Sequence, residues 1–146
     1  LDFDAGDIVI SVKAEYLAMI MNGEKTIELR RKTIKVSPGS RVWLYETSPT
    51  AHIAAYASVE KVITGTPRKI WSEYRNDVGI TLAEFDSYFE GSSLACAIFL
   101  SEVRQVVPAL KLNDLRTRLD GFHPPQFFKR LRKNSPELRL LRAHVA

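Results

Sequence analysis

Between Gly23 and Lys32 the chain reads Gly-Glu-Lys-Thr-Ile-Glu-Leu-Arg-Arg-Lys, a glycine suited to closing a helix followed by a strand-like run crowded with charges of both signs. A strand so charged must turn one face to solvent or to a polar ligand, because burying an unpaired charge is prohibitive. In a regular strand Thr26, Glu28 and Arg30 share one side, while Ile27 and Leu29 face a core on the other, with Lys25 nominally beside them. Lys25 cannot follow that pair cheaply. The chain is therefore expected to bend over residues 23–25 and turn the Lys25 ammonium toward Glu28 and Arg30, at the mouth of a helix-to-strand junction. The competing reading is an ordinary edge strand whose solvated charges discourage aggregation.

At 146 residues the chain is long enough for one domain with its own hydrophobic core. Cys96 is the only cysteine, which excludes an internal disulfide and a cysteine metal site, and its neighbours Leu94, Ala95, Ala97, Ile98 and Phe99 predict a buried, inert thiol. His52, His123 and His144 are far apart and lack metal-ligand spacing; His123, beside Pro124-Pro125, reads as structural. No metal and no cofactor are expected. No run approaches the roughly 20 apolar residues of a membrane span, and nothing at the amino end resembles a cleaved signal, so a cytoplasmic setting is expected. From Lys111 onward there are nine Lys or Arg against three Asp or Glu, a net +6, which leaves −2 for residues 1–110. Such a one-sided basic segment suits a polyanion, although a solvated helix surface gives the same count.

Asp7 to Val12 reads as a first strand and Ala14 to Met21 as a helix stopped by Asn22-Gly23, with Lys13 at the corner between them. Ser37-Pro38-Gly39-Ser40 is a turn before a strand from Arg41 to Glu46, and Ser48-Pro49 is another turn. His52 to Ile63 is a long strand in which Ile53, Ala55, Ala57 and Val59 can share a face, their small size suiting a tightly curved sheet. Thr66-Pro67 opens a helix to about Arg75, and the Thr81/Glu84 capping box opens another from Leu82 to Phe89, ended by Gly91. Leu94 to Val107 is predicted as the last strand. The remainder is predicted helical: from about Asn113, again after Pro124-Pro125 through Phe127, Phe128 and Leu131, and finally behind a Ser135 cap. The expected architecture is α+β around a small mixed β-barrel, residues 1–110, with a helical insertion at about 66–90 and a basic helical extension, 111–146, packed on the barrel.

Glycine-rich phosphate loops, nucleophile elbows and His-Glu metal helices are missing from the sequence. What remains is the cluster Lys13, Lys25, Glu28 and Arg30, with Arg31 beside it and Tyr45 and Ser48 at the next strand end. Lys and Arg could hold phosphate, Glu a base amino group, and Tyr45 could stack; equally, Tyr45 could fill the core and the Lys–Glu pair could be a structural ion pair. A lysine with a lowered pKa could act as a base, with Lys25 and Glu28 the catalytic candidates. In the tail, Lys129, Arg130, Arg132 and Lys133 would track phosphates, while Phe127, Phe128 and Leu131 either pack on the barrel or dock a partner.

Ile10-Ser11-Val12-Lys13-Ala14-Glu15-Tyr16, then Gly23-x-Lys25-x-x-Glu28-x-Arg30, Pro38-Gly39-x-x-Val42 and Tyr45-x-x-Ser48-Pro49, together resemble the ASCH domain family of the PUA-like superfamily over roughly Ile8 to Val107. Pro124-Pro125-Gln126-Phe127 resembles the C-terminal extension of small bacterial members. The resemblance implies a β-barrel flanked by helices, a cleft lined by Lys25, Glu28 and Arg30 with Lys13, Tyr45 and Ser48 close by, and binding of RNA or a modified nucleobase. Within that family an amidohydrolase group acting on N4-acetylcytidine uses a lysine, a threonine three residues later and a glutamate from the helical insertion. Here the lysine is Lys25, Glu28 stands in the threonine's place, and Asp77 and Val78 lie near the glutamate's. Other relatives are ribonucleases, so the resemblance implies as alternatives an RNA- or nucleobase-binding protein and a hydrolase of RNA or a modified nucleoside.

Overall fold

The structure, a computed structural model, describes residues 6–146; the amino end, expected to carry no cleaved signal, lies outside the described residues. The elements follow in the order β1 (Asp7–Val12), α1 (Ala14–Asn22), β2 (Ile27–Arg30), β3 (Arg41–Glu46), β4 (His52–Gly65), α2 (Pro67–Tyr74), α3 (Leu82–Phe89), β5 (Ala95–Lys111), α4 (Leu112–Arg118), β6 (Phe128–Leu131) and α5 (Pro136–Val145). Six strands form one sheet in the order β2-β5-β4-β3-β1-β6, antiparallel throughout except for the parallel pair β1/β3. The sheet curls into a half-barrel, giving the α+β architecture expected from the sequence.

Three apolar clusters hold the sheet in shape. Ile8, Ile10, Val12, Val42, Leu44, Ala55, Ala57 and Ile98 fill the inside of the curl, sealed by Leu17 and Ile20 of α1. On the outer face, Val9, Trp43 and Tyr45 pack under the C-terminal segments through Leu115, Phe122 and Leu141, while Ile27, Leu29 and Ala97 pack under α2 and α3 through Ile70, Phe85 and Phe89. Asp7 pins the first of these outer layers: it is buried, accepts from the Trp43 indole at 3.2 Å and pairs with Arg142 of α5 at 2.9 Å.

Local signals act where they were read. Gly23 closes α1 in the left-handed conformation, φ 87°, and Thr81 and Glu84 form a reciprocal capping box at the start of α3. Two expectations are overturned. Ile53 does not share a face with Ala55: the register slips at Ala54, so Ile53 joins the outer cluster and Ala55 the inner one. The stretch after Pro124-Pro125 is a strand rather than a helix, because the open edge of β1 offers Asp7 to Ile10 as an antiparallel partner for Phe128 to Leu131. Its side chains alternate accordingly, Phe128 against the inner cluster and Leu131 in the outer one.

No helix among the described residues is long and apolar enough to cross a membrane. Cys96 is buried and burial pushes its thiol up, which disfavours the reactive thiolate.

Candidate functional site

The half-barrel leaves a seam between its two edges, and the charged strand lies along it. Pairing with β5 turns Ile27 and Leu29 to the outer apolar cluster and Glu28 and Arg30 to the opposite side, where Arg30 reaches across the seam. One of its terminal nitrogens, Nη2, lies 2.7 Å from Glu28 Oε2 and 3.3 Å from the Ser11 carbonyl, and Nη1 donates to the Phe127 carbonyl at 3.1 Å.

The bend ahead of β2 is fixed by backbone bonds. Lys25 N–H donates to the Met19 carbonyl, and the N–H groups of Thr26 and Ile27 both donate to the Asp77 carbonyl. The Lys25 side chain, only 3% exposed, donates to the Val78 carbonyl at 2.7 Å and stands 3.8 Å from Glu28 Oε1. Burial lowers the pKa of Lys25, opposed by the nearby Glu28 carboxylate and assisted by Arg30.

These groups line a recess of about 240 Å³ with Ser11, Lys13, Tyr16, Glu84 and Tyr88. Tyr16 lies against the Lys25 ammonium, 5.7 Å from ring centroid to Nζ, with Glu84 lining the same recess. Burial raises the Tyr16 and Tyr88 pKa values, so both phenols stay protonated at neutral pH. The Nε of Arg30 is buried and has no acceptor among the described residues.

The family model described as a domain of unknown function, DUF365, matches residues 6–129. A Zymomonas mobilis protein named ASCH domain-containing ribonuclease is 30% identical over 134 residues, which is 92% of this chain and 90% of that one. The chain belongs to the DUF365 family and is an ASCH domain. The crystal structure of the ASCH protein from Zymomonas mobilis matches this ASCH domain with a TM-score of 0.86 at 29% identity, over 95% of this chain and 96% of that one. The N-terminal domain of Staphylothermus marinus McrB shares the fold at 10% identity, with a TM-score of 0.59 over 98% of each chain.

In this ASCH domain Lys13, Lys25, Glu28 and Arg30 come together in the recess, and three other candidates do not. Tyr45 points to the far side of the sheet, 3% exposed in the outer cluster, because it alternates with Leu44 of the inner cluster and shares the outer side with Trp43. Ser48 is exposed in the turn after β3 and does not line the recess. Arg31 is exposed and donates to the Glu90 carbonyl at 3.1 Å. In the tail, Lys129 covers the Phe122 ring, Arg130 donates to the Lys35 carbonyl, and Arg132 and Lys133 are exposed beyond β6.

The insertion contributes differently from the expectation. Asp77 and Val78 serve through their backbone carbonyls, and the carboxylate that lines the recess is that of Glu84. Its capping-box spacing accounted for Glu84 in the sequence and hid its second position, one that only the packing of α3 against β2 creates. Among the described residues no group of three or more His, Cys, Asp or Glu could hold a metal ion.

Gly79 keeps Lys25 in place. Its φ is +67°, and a Cβ there would lie 2.8 Å from the Cβ of Lys25. Gly79→Ala should therefore cost about 1–3 kcal/mol in urea denaturation and push Lys25 out of position. Lost ligand affinity beyond that of an equally destabilised core variant would show the displacement.

Proposed function

We propose that this ASCH domain binds RNA and holds one base or nucleotide unit of a single strand in the recess. The observation that carries this reading is the Arg30 Nε, a buried donor with no acceptor among the described residues, set among groups that can hydrogen-bond both edges of a polar ring. Lys25 and Arg30 donate, Glu28 accepts from an exocyclic amine, and Tyr16 and Tyr88 supply aromatic surface. At about 240 Å³ the space falls below the roughly 300–1,000 Å³ of pockets for drug-sized ligands, which suits a single unit. A base must leave the stack to enter, so single strands are preferred to duplexes. Arg130, whose guanidinium is held by the Lys35 carbonyl, carries positive charge on the Phe128 side of β6, whereas Lys129 covers the Phe122 ring on the outer side and Arg132 and Lys133 are exposed beyond the strand.

Anisotropy titration with labelled single-stranded and duplex RNA at several salt concentrations tests this. Single strands should bind more tightly, with log K falling against log salt by about 0.7 for each phosphate neutralised. Undetectable binding at low salt, or binding indifferent to salt, rules the proposal out.

A second reading, hydrolysis of RNA, is favoured by the buried Lys25 amine and by the ribonuclease relative that matches nearly end to end. In its deprotonated form Lys25 acts as the base that removes the 2′-hydroxyl proton, Glu28 tunes it, and the freed oxygen attacks phosphorus while the 5′-oxygen leaves and takes that proton back from Lys25. Hydrolysis of an N4-acylated cytidine has less behind it: Lys25 and a glutamate of the insertion, Glu84, line the recess, but Glu28 stands in the place of the threonine that the amidohydrolase group uses.

A further inference from the structure

Phe127 presents its ring to solvent, 63% exposed, one residue before β6 and beside the recess. Exposed single aromatics are common, but this one is held in place. Its carbonyl accepts from Arg30, the carbonyl of Pro125 two residues earlier accepts from Ser11 Oγ at 2.6 Å, and Phe128 after it is paired to Ile10 in the sheet. Pro124 and Pro125 restrict the backbone further. A ring whose backbone is already fixed loses little entropy when something stacks on it.

The surroundings of the ring are cationic. Lys32 Nζ lies 5.8 Å from the ring centroid, Lys35 is exposed, and its carbonyl holds the Arg130 guanidinium. Phe128 is half-buried against the inner cluster, so it does not extend the exposed Phe127 ring into a larger apolar surface of the kind a protein partner needs. An isolated aromatic set among Lys and Arg is the arrangement that stacks a base while cations take its phosphates. The Arg30 guanidinium touches both places, Glu28 in the recess through Nη2 and the Phe127 carbonyl through Nη1.

We propose that Phe127 is a stacking platform for a second base, adjacent in a single RNA strand to the one held in the recess, so that the site reads at least two nucleotides. The inference rests on the RNA reading of the recess given above. It turns a pocket for one unit into the start of a track that runs from Lys25 past Arg30 and Phe127 toward Lys32 and Lys35.

The test compares a nucleoside monophosphate with a short single-stranded oligonucleotide on the wild type, Phe127→Ala, Phe127→Trp and Lys25→Met. Phe127→Ala should weaken the oligonucleotide roughly 5- to 150-fold, the range of one lost base–aromatic stack, and leave the salt slope and the monophosphate affinity unchanged. Phe127→Trp should restore oligonucleotide binding. If Phe127→Ala binds the oligonucleotide as tightly as the wild type while Lys25→Met has lost it, the platform is wrong and the recess stands. Equal loss of monophosphate and oligonucleotide in Phe127→Ala also overturns the platform, since the ring would then only support the recess. A wild type that binds neither ligand overturns both proposals.

Discussion

Glu28→Ala should cost about 3–5 kcal/mol of folding stability, read as a lowered midpoint in urea, because it leaves two cations buried without their shared carboxylate. Arg30 lies 2.7 Å from one oxygen and Lys25 3.8 Å from the other, and the three side chains are 15%, 3% and 10% exposed in the order Arg30, Lys25, Glu28. No other carboxylate pairs with Lys25 or Arg30 among the described residues, so neither cation can re-pair in place. Glu28→Gln keeps the shape and one acceptor oxygen, and should cost less than the alanine. Affinity for single-stranded RNA should fall in both variants, including under conditions where each remains folded. An alanine variant as stable as the wild type would mean that the seam opens to water and that the carboxylate does not organise it.

Lys25→Met should fold, since Met fills similar volume and Glu28 keeps Arg30 as its partner, yet it should lose the chemistry assigned to the amine. If RNA is cleaved, turnover should drop about 100- to 10,000-fold, the usual contribution of a general base. Retained cleavage in a folded Lys25→Met protein would remove Lys25 as the base and leave the binding reading untouched. The same variant reports the burial of the amine. Because the folded pKa of Lys25 lies below its ordinary 10.5, the unfolded chain binds more protons between those two values. Wild-type stability relative to Lys25→Met should therefore climb as pH rises from the folded lysine pKa toward about 10, and stay level below that window. Urea midpoints of the two proteins across that range give the difference directly, and a flat difference would show that the ammonium is as well solvated folded as unfolded.

Most of the elements were legible because their signals are local. The Asn22-Gly23 stop, the Thr66-Pro67 entry, the Thr81/Glu84 capping box and the Ser135 cap each act within a turn of chain, and α1, α2, α3 and α5 begin or end at those residues. The bend before β2 was legible for another local reason, that a lysine between apolar alternation and a charged strand has to leave the core. Features that depend on a distant partner were not legible. Phe127 to Leu131 has the spacing of a helix face, and it is a strand because β1 has a free edge at that place. Tyr45 follows the motif closely in sequence, but Leu44 takes the inner side of β3 and alternation carries the Tyr45 ring to the other side of the sheet.

By itself the sequence determined the order of elements as far as β5, the α+β class and the gathering of Lys25, Glu28 and Arg30 at one bend, since propensity, capping and alternation all act over a few residues. The tertiary structure alone decided that this bend lies in the seam of an open half-barrel, that Glu84, Tyr16 and Tyr88 wall the recess, and that Arg30 ties it to Phe127 97 residues away. Contacts over such separations form when whole faces are buried together, and no short window of residues records which faces will meet.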